Sequence, residues 1–168
     1  MADQHTLAET EKAMKEHVGK LDLDFAAANA VSSIYRAANA VRAHLTTEVL
    51  RPHDLTWTGF VVLWVVWIWD GMETRKVAEN AAISKATLTG VVKTLESRGW
   101  IVRQGGIADK RLVTLRLTRE GIDLMERLYP QFNKVESAVV ARLSARSQKD
   151  LTKSLRTIVQ TLEESGAK

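Results

Sequence analysis

The chain has 168 residues, 45% hydrophobic and 26% charged, with no cysteine and a formal net charge of +4 at pH 7. Those values fit one well-buried core and exclude wholesale disorder. The absence of cysteine excludes disulfides, thiolate metal sites and cysteine-based redox sensing.

The first twenty residues (1–20) are polar and read as a flexible segment; Asp3, Glu9 and Glu11 interrupt any apolar run that would make a secretory signal. A long helix is predicted over 23–50, where Ala27, Val31, Ile34, Ala38, Val41, Leu45 and Val49 recur every three or four residues. Pro52 ends it. Thr56 is placed to cap a second helix from Trp57 to Trp69. Its apolar run, Phe60 to Trp69, is about half of what a bilayer span needs, so it reads as a buried helix.

Thr74 is expected to cap a short helix over 75–81. A turn at Ala82 and Ile83 follows, and Ser84 caps a helix over 85–98 with Leu88, Val91, Val92 and Leu95 inward. Gly99 ends that helix. Two helices joined by a turn of about three residues form a helix-turn-helix signature. A strand over 100–103, glycines at 105 and 106, and an alternating strand over 112–117 then make a basic hairpin, a wing. Thr118 caps a long helix with Met125, Leu128, Phe132, Val135, Val139 and Leu143 on one stripe and Pro130 as a kink. Ser147 with Asp150 reads as a capping box for a last helix, whose stripe is Leu151, Leu155, Ile158 and Leu162.

The charge is unevenly spread. Residues 75–121 hold ten basic and four acidic side chains, a net +6, which leaves −2 for the rest. A basic middle on a near-neutral scaffold suits a polyanion-binding module, with a merely solvated basic face as the alternative. The expected fold is mainly α with a small β wing. A winged helix-turn-helix over 55–121 is flanked by a helical dimerisation region, 21–54 and 122–168, whose stripes need a partner chain.

The segment Asp109-Lys110-Arg111-Leu112-Val113-Thr114-Leu115-Arg116-Leu117-Thr118-Arg119-Glu120-Gly121 resembles the wing of the MarR family of bacterial regulators. That pattern is Asp-x-Arg, an alternating strand, then Leu-Thr-x-x-Gly. Leu55-Thr56-Trp57-Thr58-Gly59-Phe60 is similar to the family's entry into its second helix. Gly59 stands where glutamine is common, and Ala82 where a turn glycine is frequent. The resemblance runs from about Leu21 to the C-terminus. It implies a dimeric transcriptional regulator, most commonly a repressor, that releases DNA when a small aromatic or phenolic acid binds.

The residues support DNA contacts on their own terms. Ser84, Lys85, Thr87, Leu88 and Thr89 occupy the N-terminal half of the second helix of the pair, the part that enters a major groove. Lys85 and Lys93 suit phosphates, and Ser84 serves as a cap, a phosphate contact or both. Gly90 invites close approach to another backbone. At the wing, Arg111 suits a narrow minor groove, and Asp109 orients it or forms an ordinary hairpin ion pair with it. Arg75, Lys76, Arg103 and Lys110 are further phosphate candidates. The expected DNA partner is a pseudo-palindromic duplex.

An effector site is read around Trp57, Phe60, Val61 and Trp64, with Tyr35, Arg36, Arg42 and His44 of the first helix and Met125 and Tyr129 of the long helix supplying its polar end; a purely structural aromatic core is the alternative. The ligand expected there is an anionic aromatic acid or its coenzyme A thioester. No catalytic, nucleotide-binding or metal motif is found, and His5, His17, His44 and His53 lack zinc spacing. The chain therefore reads as a cytoplasmic, cofactor-free regulator without a membrane role. A winged helix that binds protein instead of DNA is the rival.

Overall fold

A computed structural model describes residues 5–105 and 113–166. The chain divides into two compact units, one ending at His44 and the other beginning at Leu45. The first holds helix α1 (Leu7–Val18) and nearly all of helix α2 (Phe25–Leu45). Residues 1–20 were expected to be loose, yet most of them form α1. Thr6 and Glu9 close a reciprocal capping box in which the Thr6 hydroxyl accepts the Glu9 amide and the Glu9 carboxylate accepts the Thr6 amide. The Thr6 amide and the Thr6 hydroxyl both donate to the Glu9 carboxylate and hold its carboxyl below its ordinary pKa. Asp24 caps α2 by accepting the Ala27 amide at 2.9 Å.

The helix predicted over 23–50 is not regular to its end. After Leu45 the chain widens into a π-type turn (Thr46–Leu50) and then tightens into a 3-10 turn (Arg51–His53) that contains Pro52. Asp54, at φ 51°, breaks the run. The irregular turns put Val49 and Leu50 inward, where both are buried.

The second unit is built around helix α3 (Trp57–Ile68). Val62, Leu63, Val65 and Val66 are all buried, so α3 is apolar on most of its circumference because neighbours cover it on several sides. Helix α4 (Thr74–Asn80) and helix α5 (Lys85–Ser97) form the helix-turn-helix; α5 and helix α6 (Arg119–Val139) both pack on α3. The wing strands are β2 (Ile101–Gly105) and β3 (Val113–Leu117), antiparallel with Arg103 opposite Leu115. Sequence reading missed a third strand, β1 (Met72–Glu73), which pairs with the other edge of β3. Helix α7 (Ala145–Gly166) closes the described chain.

Two predicted caps are corrected. Thr74 does not cap α4; its hydroxyl donates instead to the Val113 carbonyl at 2.7 Å, tying α4 to the wing. The cap of α7 is Ser144, whose Oγ accepts the Ser147 amide at 3.1 Å, so the helix starts before the expected Ser147. The caps at Thr56, Ser84 and Thr118 stand where expected, each accepting the amide three residues on. The α6 stripe buries Met125, Leu128 and Phe132, but α6 ends at Val139, and Val139 and Leu143 are exposed.

Candidate nucleic-acid interface

Helix α5 presents its first turn and one long face to solvent. Lys85, Thr89 and Lys93 recur every four residues along it, and all three are exposed. Leu88 was read as a DNA contact and is corrected: it is fully buried against the core, so its part is to fix the helix in place. The Ser84 and Thr87 hydroxyls lie 2.8 Å apart while Ser84 accepts the Thr87 amide. Whichever hydroxyl donates to the other, one proton of the pair is left to point outward toward an acceptor. The Thr89 hydroxyl donates to the Lys85 carbonyl and so offers only lone pairs.

Between α4, α5 and the base of the wing lies an open cleft of about 700 Å³, which includes Arg75, Lys76, Lys85 and Arg103 in its wall. Three of these cations already hold carboxylates: Arg75 on Glu79 at 2.9 Å, Lys76 on Glu73 at 3.8 Å and Arg103 on Glu96 at 3.3 Å. Such exposed pairs contribute little to stability, so a phosphate can take a carboxylate's place at small cost. Meanwhile the pairs hold long side chains toward the cleft. Among the described residues, Lys85 and Lys93 have no carboxylate within 4 Å.

Not every cation of the basic segment faces this cleft. Arg98 donates to the His53 carbonyl at 3.2 Å and stacks on Trp100, 5.0 Å from the ring centroid. Arg116 donates to the Asp70 carbonyl at 2.8 Å and covers Gly71, whose φ of 102° marks a turn that suits glycine. Arg119 pairs with Asp123. The first two tie separate elements of the module together, whereas Arg119–Asp123 is an exposed pair within α6. Asp109, Lys110 and Arg111 lie outside the described residues, as does the glycine at 106.

The two departures from the family pattern have local settings. A side chain at Gly59 would meet Leu55 Cδ1 at 3.1 Å and the capping Thr56 hydroxyl at 3.2 Å, so the tight start of α3 favours glycine. Ala82 carries a left-handed φ of 51° in the turn between α4 and α5, a conformation glycine adopts more cheaply. A side chain at Gly90 would meet nothing within 4 Å in this chain, so the close approach expected there is not to the chain's own backbone.

The residues read as an effector site fall into two groups. Tyr35, Arg36, Arg42 and His44 are exposed on α2 in the first unit, with Arg42 donating to Asn39 at 3.1 Å. In the second unit, Trp57, Phe60, Val61 and Trp64 of α3 face Tyr129 of α6 across a groove of about 170 Å³. Met125 is fully buried and takes no part in the groove's wall. Phe132 and Glu136 complete that wall and were missed, although Tyr129, Phe132 and Glu136 are spaced by three and four residues on one helical face.

Comparison with known proteins decides what this arrangement belongs to. The family model described as "MarR family" matches residues 55–113. A helix-turn-helix transcriptional regulator of Bacillus subtilis (strain 168), YwaE, is 38% identical over 140 residues, 83% of this chain and 82% of its own length. The chain belongs to the MarR family. It is thus a DNA-binding transcriptional regulator with a winged helix-turn-helix. The solved structure of Streptomyces coelicolor Sco3205, a MarR family regulator in complex with DNA, superposes with a TM-score of 0.75 at 25% identity, over 83% of this chain and 89% of that one. Bordetella bronchiseptica BpsR, whose DNA binding is regulated by 6-hydroxynicotinic acid, shares the fold with a TM-score of 0.69 at 24% identity, over 76% of this chain and 91% of its own. Among the described residues, no helix is long and apolar enough to cross a membrane.

Proposed function

We propose that the protein is a homodimeric, sequence-specific repressor that acts in the cytoplasm, binds a pseudo-palindromic operator, and is released from it by a small aromatic molecule. The observation that carries the DNA reading is the cleft wall, where Arg75, Lys76, Lys85 and Arg103 converge beside the exposed face of α5. Phosphates are met by these cations and by Lys93, while the outward hydroxyl of the Ser84–Thr87 pair and the Thr89 oxygen lie within the half of α5 that reads base edges. Arg111, oriented by Asp109 and flanked by Lys110, enters the neighbouring minor groove.

Dimerisation is supported by helix α7. None of its residues is buried, yet Leu151, Leu155, Ile158 and Leu162 form one apolar stripe that is 38–66% exposed. Lys149, Lys153 and Arg156 lie on the opposite side of the helix. An apolar face of that length calls for cover, and residues 21–54 and 122–168 of two copies supply it. The 6-hydroxynicotinic acid of BpsR is a precedent within this fold for regulation of DNA binding by an aromatic compound. The role is regulatory, not enzymatic.

Arg111→Ala tests the wing. A folded variant is expected to lose about 1–3 kcal/mol of specific binding in a mobility-shift titration, together with discrimination at the base pairs beside the wing. Unchanged affinity would remove Arg111 from the interface.

A further inference from the structure

The aromatic groove of the second unit carries information about the charge of its ligand. Its α3 wall is Trp57, Phe60, Val61 and Trp64, and its α6 wall is Tyr129, Phe132 and Glu136. The rings form one connected cluster. Phe60 stacks on Phe132 with centroids 4.3 Å apart, and Trp57 lies 6.1 Å and Tyr129 6.4 Å from the same Phe132 ring. Among the described residues, Glu136 supplies the groove's one carboxylate, and no lysine, arginine or histidine shares its wall. The Asn133 side-chain amide donates to Glu136 Oε2 at 3.1 Å, which fixes the carboxylate at the groove and leaves Oε1 to a ligand. Among the described residues of this unit, no cation lies within 4 Å of Glu136.

Aromatic faces carry negative potential, and a carboxylate adds a full negative charge beside them. Both features attract a cation and repel an aromatic acid. The α3 and α6 walls of the groove therefore favour a cation over the anionic ligand expected from sequence. The volume, about 170 Å³, suits roughly one ring, since a cavity of about 150 Å³ holds benzene.

We propose that this groove binds a small organic cation, a one-ring aromatic ammonium or quaternary ammonium compound, with its charge met by Glu136 and the surrounding rings. Only the consequence for DNA release rests on the regulatory reading above; the binding chemistry is independent of it.

The test uses the full chain and tryptophan fluorescence, because Trp57 and Trp64 line the groove. Benzyltrimethylammonium, phenylacetate and benzyl alcohol serve as matched cationic, anionic and neutral probes. Saturable binding is expected for the cation, with the anion at least tenfold weaker. Glu136→Gln should weaken the cation about tenfold and bring it close to benzyl alcohol, and Glu136→Lys should invert the preference toward phenylacetate. Both variants should melt close to the wild type, because the Glu136 side chain is part-exposed and, among the described residues, holds no ion pair within its unit. Phenylacetate binding as tightly as the cation, an unchanged affinity in Glu136→Gln, or no saturable response to the cation would each overturn the proposal. A mobility shift on the same samples separates the two readings. A bound cation that leaves protein–DNA complexes intact refutes release by this groove while the cation site stands.

Discussion

Gly121→Ala is expected to lower the melting temperature by about 10 °C, the counterpart of about 3 kcal/mol in a chain of this size. Gly121 sits in the first turn of α6, and a Cβ there would fall on the carbonyl oxygen of Trp100, closer than any real carbon–oxygen contact. Backbone cannot swing aside as a side-chain tip does, so the start of α6 would have to move off the strand entry. The same turn is pinned by Thr118. Its hydroxyl accepts the Gly121 amide at 3.0 Å and donates to the Gly99 carbonyl at 2.5 Å, and the Thr118 amide donates to Trp100. A shift therefore breaks several hydrogen bonds together. Gly90→Ala is the internal control. Its Cβ meets nothing, so the helix-propensity gain of about 1 kcal/mol should appear as a small rise in melting temperature. Thermal unfolding that finds Gly121→Ala within a degree or two of the wild type would contradict the packing described for this corner.

Leu155→Glu with Ile158→Glu is the second large effect. Both residues lie in the exposed apolar stripe of α7, at 38% and 40% exposure. In a dimer joined along that stripe, the double variant buries four unpaired carboxylates at one interface, each far more costly than the leucine or isoleucine it replaces. The dimer dissociation constant should rise at least a thousandfold, about 4 kcal/mol. Because two half-sites are engaged only by a dimer, operator binding should fall with it. Sedimentation velocity checks the assembly. A double variant that sediments as the wild type does at micromolar concentration removes α7 from the interface.

What sequence reading recovered was mostly local. Thr56, Ser84 and Thr118 each act on an amide three residues away, so a short window contains the whole interaction. The helix-turn-helix pair followed from such caps and from the inward spacing of Leu88, Val92 and Leu95. The capping box at Thr6 and Glu9 is equally local, though the polarity of residues 1–20 masks it. What escaped was set by partners distant in sequence. Strand β1 has two residues and exists because Met72 and Glu73 meet Leu115 and Thr114. Thr74 resembles a cap until Val113, 39 residues later, takes its hydroxyl.

The candidate site shows the same division. The basic bias of residues 75–121 was visible in the sequence, but its partition was not. Arg98 and Arg116 are spent on contacts between elements, whereas Arg75, Lys76 and Arg103 line the cleft through pairs with Glu79, Glu73 and Glu96. By spacing alone Leu88 fits both the core stripe and the DNA face, and burial assigns it to the core. The aromatic residues of α3 stood out by type. That, among the described residues, the carboxylate of Glu136 and no cation joins their groove depends on how α6 lies against α3.

The most direct test of the DNA-binding claim is the salt dependence of binding to duplex DNA, measured by fluorescence anisotropy from 50 to 200 mM salt. Five cations per protomer (Arg75, Lys76, Lys85, Lys93 and Arg103) are exposed at the described interface. If they and the wing displace counterions from at least six phosphates per dimer, affinity should fall about a thousandfold across that range. A protein-binding winged helix predicts otherwise: no duplex binding, or an affinity that changes less than about threefold, would contradict the account.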